Sequence, residues 1–178
     1  MINNIKVVKS HKPTNLEEIE KFEHLIQAKL PGDYKQFLLK HNGGHPLTAT
    51  YKLNEPINAK NDEISVDWFY ALYDGDVSNI TTHFQQSYNE ILGQFLPIAD
   101  QGAGKLCLGV EGEDYGKLYY WVTNWSFWNE DDLNYLYFVS NSFTDFINGL
   151  YEKTIQNNNI IRCYQDGTVT IEPLQKHE

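Results

Sequence analysis

Cysteine is nearly absent from this chain: Cys107 and Cys163 are the only two in 178 residues. No Cys-x-x-Cys pair and no histidine at ligand spacing accompanies them, which removes a zinc site and a disulfide framework and leaves two thiols expected in the interior. Long apolar runs are missing too. The longest is Trp68 to Tyr73, far short of the roughly 20 residues a spanning helix needs, so no membrane insertion is expected. Met1 to Ser10 has two lysines but no extended apolar region and no small-residue cleavage pattern. A secretory leader is therefore not expected, and a cytoplasmic location is. Basic residues are scarce, 14 against 24 acidic ones, for a net charge of −10. Such a field repels phosphate backbones and attracts cationic proteins, which disfavours direct nucleic-acid binding.

Burial material is plentiful: 41% of residues are hydrophobic and 14% aromatic, enough to exclude disorder and to fill the core of one domain. Thr14 to Glu17 has the form of a capping box, and Leu16, Ile19, Phe22, Ile26 and Leu30 recur at helical spacing. Pro31 ends that helix and can open a second one, with Tyr34, Phe37, Leu38 and His41 on one side, stopped by Asn42-Gly43-Gly44. Ala49 to Leu53 and Ile64 to Tyr73 read as strands, and Val77, Ile80, Phe84, Tyr88 and Ile91 as a third helix. Phe95 to Ala99, Lys105 to Val110, Lys117 to Thr123 and Leu136 to Val139 form an antiparallel meander. Ser142 caps a fourth helix with the stripe Phe143, Phe146, Ile147 and Leu150. Asn157 to Asn159 reads as a polar linker, and Gln165-Asp166-Gly167 as the turn of an appended hairpin. The expected architecture is α+β, one central and mainly antiparallel sheet with about four helices. A domain over residues 1–152 is followed by an extension over 153–178.

Sequence support for catalysis is thin. His41 and His45 are four apart, but Asn42-Gly43-Gly44 breaks the helix that would align them on a metal. Gly102-Ala103-Gly104 starts like a phosphate loop, yet Cys107 takes the third glycine position and a strand follows where a helix is required. No G-x-S-x-G elbow occurs. Carboxylate pairs such as Asp62-Glu63, Asp74-x-Asp76 and Glu130-Asp131-Asp132 are numerous. In so acidic a chain they read as solvated loop acids, with weak divalent-ion binding or metal-assisted hydrolysis the less favoured readings.

The least even stretch runs from Glu111 to Asp132, where six acids accompany one lysine and three of the four tryptophans. Trp121 reads as core. Trp125 and Trp128 lie among polar and acidic neighbours, so this segment is either an interface for a basic partner or an aromatic loop folded back on the sheet. Rings supply anchoring area and carboxylates supply steering. Under the interface reading the partner-binding residues are Glu111, Glu113, Asp114, Trp125, Trp128, Glu130, Asp131 and Asp132. No catalytic residue, metal ligand or cofactor is expected.

Several ordered blocks resemble the SUKH superfamily, which joins the yeast Smi/Knr cell-wall synthesis regulator to many bacterial immunity proteins. They are Ile19 to Glu23, Leu30 to Leu38 with Asn42-Gly43-Gly44, Phe95 to Ala99, Leu106 to Gly109, Gly116 to Trp121 and Ser142 to Phe146. Together they span about residues 14–152. The resemblance implies an α+β fold without catalytic residues. Its implied activity is stoichiometric binding of a cognate polymorphic or contact-delivered toxin, for which a basic nuclease would be a fitting target. A scaffold or regulatory module in cell-envelope synthesis is the alternative, its aromatic loops stacking on sugars. The C-terminal hairpin lies outside these blocks, and its exposed strand is available to extend a sheet or build a homodimer.

Overall fold

Helix α1 (Leu16–Ile26) begins at Asn15, whose side chain accepts a hydrogen bond from the Glu18 amide at 3.0 Å. The cap is thus Asn15, one residue beyond the expected Thr14. The helix stops at Gln27, which takes a left-handed conformation with φ 55°, leaving an irregular link before α2 (Gly32–Lys40). The computed structural model describes residues 5–57, 62–87, 93–102, 104–123 and 136–174.

In chain order, β1 (Val7–Val8), the two helices, β2 (His45–Pro46), β3 (Thr50–Lys52), β4 (Glu63–Ser65) and β5 (Trp68–Phe69) come first. Then follow α3 (Ile80–Ser87), β6 (Phe95–Gln101), β7 (Gly104–Gly109), β8 (Leu118–Val122), β9 (Leu136–Ser140) and α4 (Phe143–Asn148). Strands β10 (Tyr151–Gln156), β11 (Asn159–Tyr164) and β12 (Val169–Pro173) close the chain. All ladders between these strands are antiparallel. The α+β class is as expected, but among the described residues the strands divide into three sheets. The main one has the order β5-β6-β7-β8-β9, the second β12-β11-β10-β3-β4, and β1 pairs with β2. The meander is therefore the main sheet, with β5 added at one edge.

The C-terminal hairpin is more than an appendage. Asn157 and Asn158 both have positive φ, 51° and 59°, the conformation of a two-residue type I′ turn, which Asn adopts with less strain than most residues. They fold β10 directly onto β11 where a linker was expected, and Tyr151 pairs with Thr50 to bring both into the sheet of β3 and β4. The boundary expected between residues 152 and 153 falls inside β10.

The core lies between one face of the main sheet and the helices. Leu96, Leu106, Leu108, Leu118, Tyr120 and Val139 face Ile19, Phe22, Phe37, Leu38, Phe143 and Phe146. The Phe143 ring meets Tyr34 edge-on at 5.0 Å and Phe37 at 5.1 Å between centroids, and such ring pairs add to simple burial. Asp33 ties α2 to α4 by accepting from Thr144 N at 2.8 Å and Thr144 Oγ1 at 3.0 Å. The Asn42 side chain, at the expected helix stop, donates to Lys12 O and Leu72 O and accepts from Leu72 N. No helix among the described residues is long and apolar enough to cross a membrane.

Candidate functional site

Strand β8 alternates in phase with its pleat. Leu118, Tyr120 and Val122 enter the main core, while Tyr119 and Trp121 point to the other face with Phe95 and Cys107. A sheet face opposite the core is where polar residues are usually found; here it carries rings. Tyr119 meets Phe95 edge-on at 5.1 Å and Phe138 edge-on at 5.8 Å. Phe138 lies on β9, the outer strand of the sheet, directly opposite Tyr119, and is 40% exposed.

This aromatic surface runs into an acidic connection. Between β7 and β8 the chain makes one 3-10 turn over Gly112–Asp114, held by Gly109 N to Lys117 O and Gly116 N to Gly109 O, both 2.9 Å. Gly109 is required by close approach, since a Cβ there would lie 2.0 Å from the Asp114 carbonyl oxygen. Asp114 Oδ1 accepts from the Tyr119 hydroxyl at 2.6 Å and from Lys117 Nζ at 3.1 Å. The tyrosine bond, then the lysine, holds the Asp114 carboxyl below its ordinary range, while burial followed by the Asp114 bond pushes the Tyr119 phenol up to about 12. Asp114 therefore orients the loop against the rings. Glu111 and Glu113 are exposed beside it, as is Tyr115.

Of the eight predicted partner-binding residues, Glu111, Glu113 and Asp114 thus lie together on the connection between β7 and β8. Trp125, Trp128, Glu130, Asp131 and Asp132 lie outside the described residues. The chain leaves the described part after Thr123 and re-enters at Leu136, the end of the β8–β9 pair opposite to Glu111. Trp121 is buried as expected. Tyr119, Phe138 and Tyr115 were not singled out as contact residues from the sequence: Leu118 to Trp121 is apolar or aromatic throughout, so no polar alternation marks which of these rings turn away from the main core.

A second polar cluster sits where β6 and β7 meet α3. Lys105 Nζ donates to Tyr70 Oη at 2.8 Å and His83 Nδ1 at 3.2 Å, and lies 3.4 Å from Asp100 Oδ1. Tyr70 donates to Asp100 and stacks on His83 with 3.7 Å between centroids. Burial, then Lys105, holds the His83 imidazole below its ordinary pKa, which keeps it neutral and able to accept. The four groups form one hydrogen-bonded network, open to solvent at the Asp100 carboxylate. Among the described residues no three His, Cys, Asp or Glu side chains converge as a metal site would require. Cys107 is buried as expected but Cys163 is exposed, because its strand neighbour Arg162 takes the inward position on β11.

Residues 13–149 match the model of the SMI1 / KNR4 family (SUKH-1). The chain belongs to this family. It is also similar to the SPbeta prophage-derived uncharacterized protein YokK of Bacillus subtilis (strain 168), with 25% identity over 154 residues, covering 79% of this chain and 76% of the relative. The SUKH-1 match takes in all four helices and the whole main sheet, including the acidic connection and the rings of β8 and β9. Strands β10 to β12 lie beyond its end.

Proposed function

We propose that this protein is an immunity protein that binds a cognate toxin domain stoichiometrically and blocks its action without itself catalysing a reaction. Membership of SUKH-1, a family known for immunity proteins, is the observation that carries this reading. The docking surface we assign is the outer face at the β8–β9 edge, with Tyr119, Phe138 and Tyr115 as ring contacts and Glu111 and Glu113 as steering acids. Trp125, Trp128, Glu130, Asp131 and Asp132, on the connection from β8 to β9, are proposed to extend it. Two physical features support the assignment: Glu111 and Glu113 are exposed beside partly exposed rings, and the net charge of −10 favours approach of a basic partner. A basic nuclease domain, cationic in order to hold phosphate, is the partner chemistry this charge fits.

Co-expression with the toxin domain encoded beside this chain's gene tests the proposal. Restored growth, a one-to-one complex by calorimetry and lost toxin activity are the expected results. A purified protein that neither binds nor inhibits that toxin, while saturating with a cell-wall glycan, would replace this reading with the envelope-module alternative.

A further inference from the structure

Strand β12 is the outer strand of the second sheet, and among the described residues no strand pairs with its far side. Its ladder with β11 decides which backbone groups face outward. Leu174 N donates to Asn158 O at 2.7 Å and Tyr164 N to Thr168 O at 2.8 Å, so the even-numbered residues from 168 to 174 turn their backbone groups toward β11. Alternation along an antiparallel ladder then directs those of Val169, Ile171 and Pro173 to the free edge. That edge offers N–H donors at Val169 and Ile171, carbonyls at all three residues, and no donor at Pro173.

We infer that this edge pairs with the same edge of a second copy, antiparallel about a two-fold axis at Ile171, so that two five-stranded sheets become one of ten strands. In this register Ile171 exchanges both hydrogen bonds with the partner's Ile171. The Val169 N–H meets the carbonyl of the partner's Pro173. Both outward donors of each strand find acceptors, and the donor that proline lacks falls opposite the Val169 carbonyl, which remains open to water. The side chains agree with the backbone. Val169 and Ile171 are 54% and 65% exposed on one face, with Ile161 beside them on β11, and the two-fold axis joins these residues into one apolar stripe.

The self-complementary donor and acceptor pattern of this edge, rather than charge, selects a second copy over a basic partner strand. Glu172 is the only acid on β12, and Arg162 Nη1 already holds it at 2.8 Å, so a cationic segment gains little there. In the self-paired register Glu172 stands opposite the partner's Thr170 and diagonal to the partner's Glu172, and each of these carboxylates is paired with the Arg162 of its own chain. Two short strands bury less than the roughly 1,200 Å² at the low end of stable interfaces. The dimer is therefore weak and concentration-dependent, and it tightens with salt as the repulsion between two chains of charge −10 is screened. This surface lies outside the SUKH-1 match and does not depend on the toxin reading.

Sedimentation velocity on the full chain from low to high micromolar concentration should show a monomer passing to a dimer. Over the same range, hydrogen exchange should slow at the Val169 and Ile171 amides while the Thr170 amide stays protected throughout. Ile171→Lys should weaken association roughly tenfold or more with an unchanged far-ultraviolet spectrum. Ile171→Pro, which removes the outward donor together with the isoleucine side chain and leaves the ladder to β11 its hydrogen bonds, should do the same. A monomer at every concentration overturns the inference. So does a dimer that leaves both amides in fast exchange or is indifferent to both substitutions, and so does protection of these amides only when a toxin domain is added.

Discussion

Arg162 Nη2 donates to Glu63 Oε1 at 3.3 Å across 99 positions of sequence. The same carboxylate accepts from Tyr151 Oη at 2.8 Å and pairs with Lys153 Nζ at 2.5 Å, while Arg162 also binds Glu172. The cluster fastens β4 to β10, β11 and β12, and both charges are largely withdrawn from water, the Arg162 side chain being 4% exposed. Glu63 was read as a solvated loop acid from its neighbourhood in sequence. The structure makes it the anchor of the second sheet.

Removing one member of a buried pair strands the other. Glu63→Ala is expected to lower unfolding free energy by about 3 kcal/mol, as for other broken buried pairs. Arg162→Met in the same background should recover part of that loss. Urea denaturation of the single and double variants checks both, and equal midpoints for wild type and Glu63→Ala would dismiss the anchoring role.

The Glu23 side chain, 1% exposed, supplies an acid-sensitive element within the family scaffold. Burial alone would push its carboxyl up, but the ammonium groups of Lys35 at 2.5 Å and Lys29 at 2.9 Å, with the Leu30 amide at 2.8 Å, more than offset this and hold it below its ordinary value. A carboxyl whose folded pKa is depressed stabilises the fold fully above its unfolded pKa, and that contribution is lost as pH falls through the folded value. Stability should thus decline on acidification below the ordinary glutamate pKa of 4.5. Glu23→Gln should be less stable at neutral pH and show a shallower decline, read from urea midpoints across the acidic range.

Asn42 has φ 46° and its buried amide serves three backbone groups on two different segments. Asn42→Ala leaves those groups without their partner, each such loss being worth about 1–3 kcal/mol when water cannot replace it. A drop of about 3 kcal/mol or more is expected by chemical denaturation. Gly43→Ala should be damaging for a different reason, because its Cβ would stand 2.8 Å from Phe69 O at positive φ.

The two thiols should behave differently. Burial pushes the Cys107 thiol far above its ordinary pKa, with Lys105 acting weakly against it, whereas Cys163 is exposed. Thiolate character and access set the reaction rate. Ellman's reagent should modify one thiol in the native protein and two in denaturant, and Cys163→Ser should abolish the native reaction.

At the proposed toxin interface, rings and acids should separate kinetically. Phe138→Ala is expected to speed dissociation and, if Phe138 is a central anchor, to weaken binding by about 2 kcal/mol. Glu111→Gln with Glu113→Gln should instead slow association and reduce its salt dependence. Asp114→Asn should affect the loop through loss of the charge-assisted bond to Tyr119. Surface plasmon resonance at two ionic strengths distinguishes these effects.

Helix stripes such as Ile19, Phe22 and Ile26, the stop at Asn42-Gly43-Gly44 and the four strands of the meander were all legible by themselves, because periodicity and turn chemistry act over a few residues. So were the acid excess and the motifs of the SUKH-1 scaffold. The capping role passed from Thr14 to Asn15, a shift too small for spacing to resolve. Only the tertiary structure decided that Glu63 meets Arg162, that β10 to β12 join β3 and β4, that Cys163 faces outward, and that Tyr119 packs on Phe138 while bonding Asp114. Each of these depends on strand register and on which face of a sheet another element covers. Those are long-range pairings, and the physics that sets them appears only once distant segments are in contact.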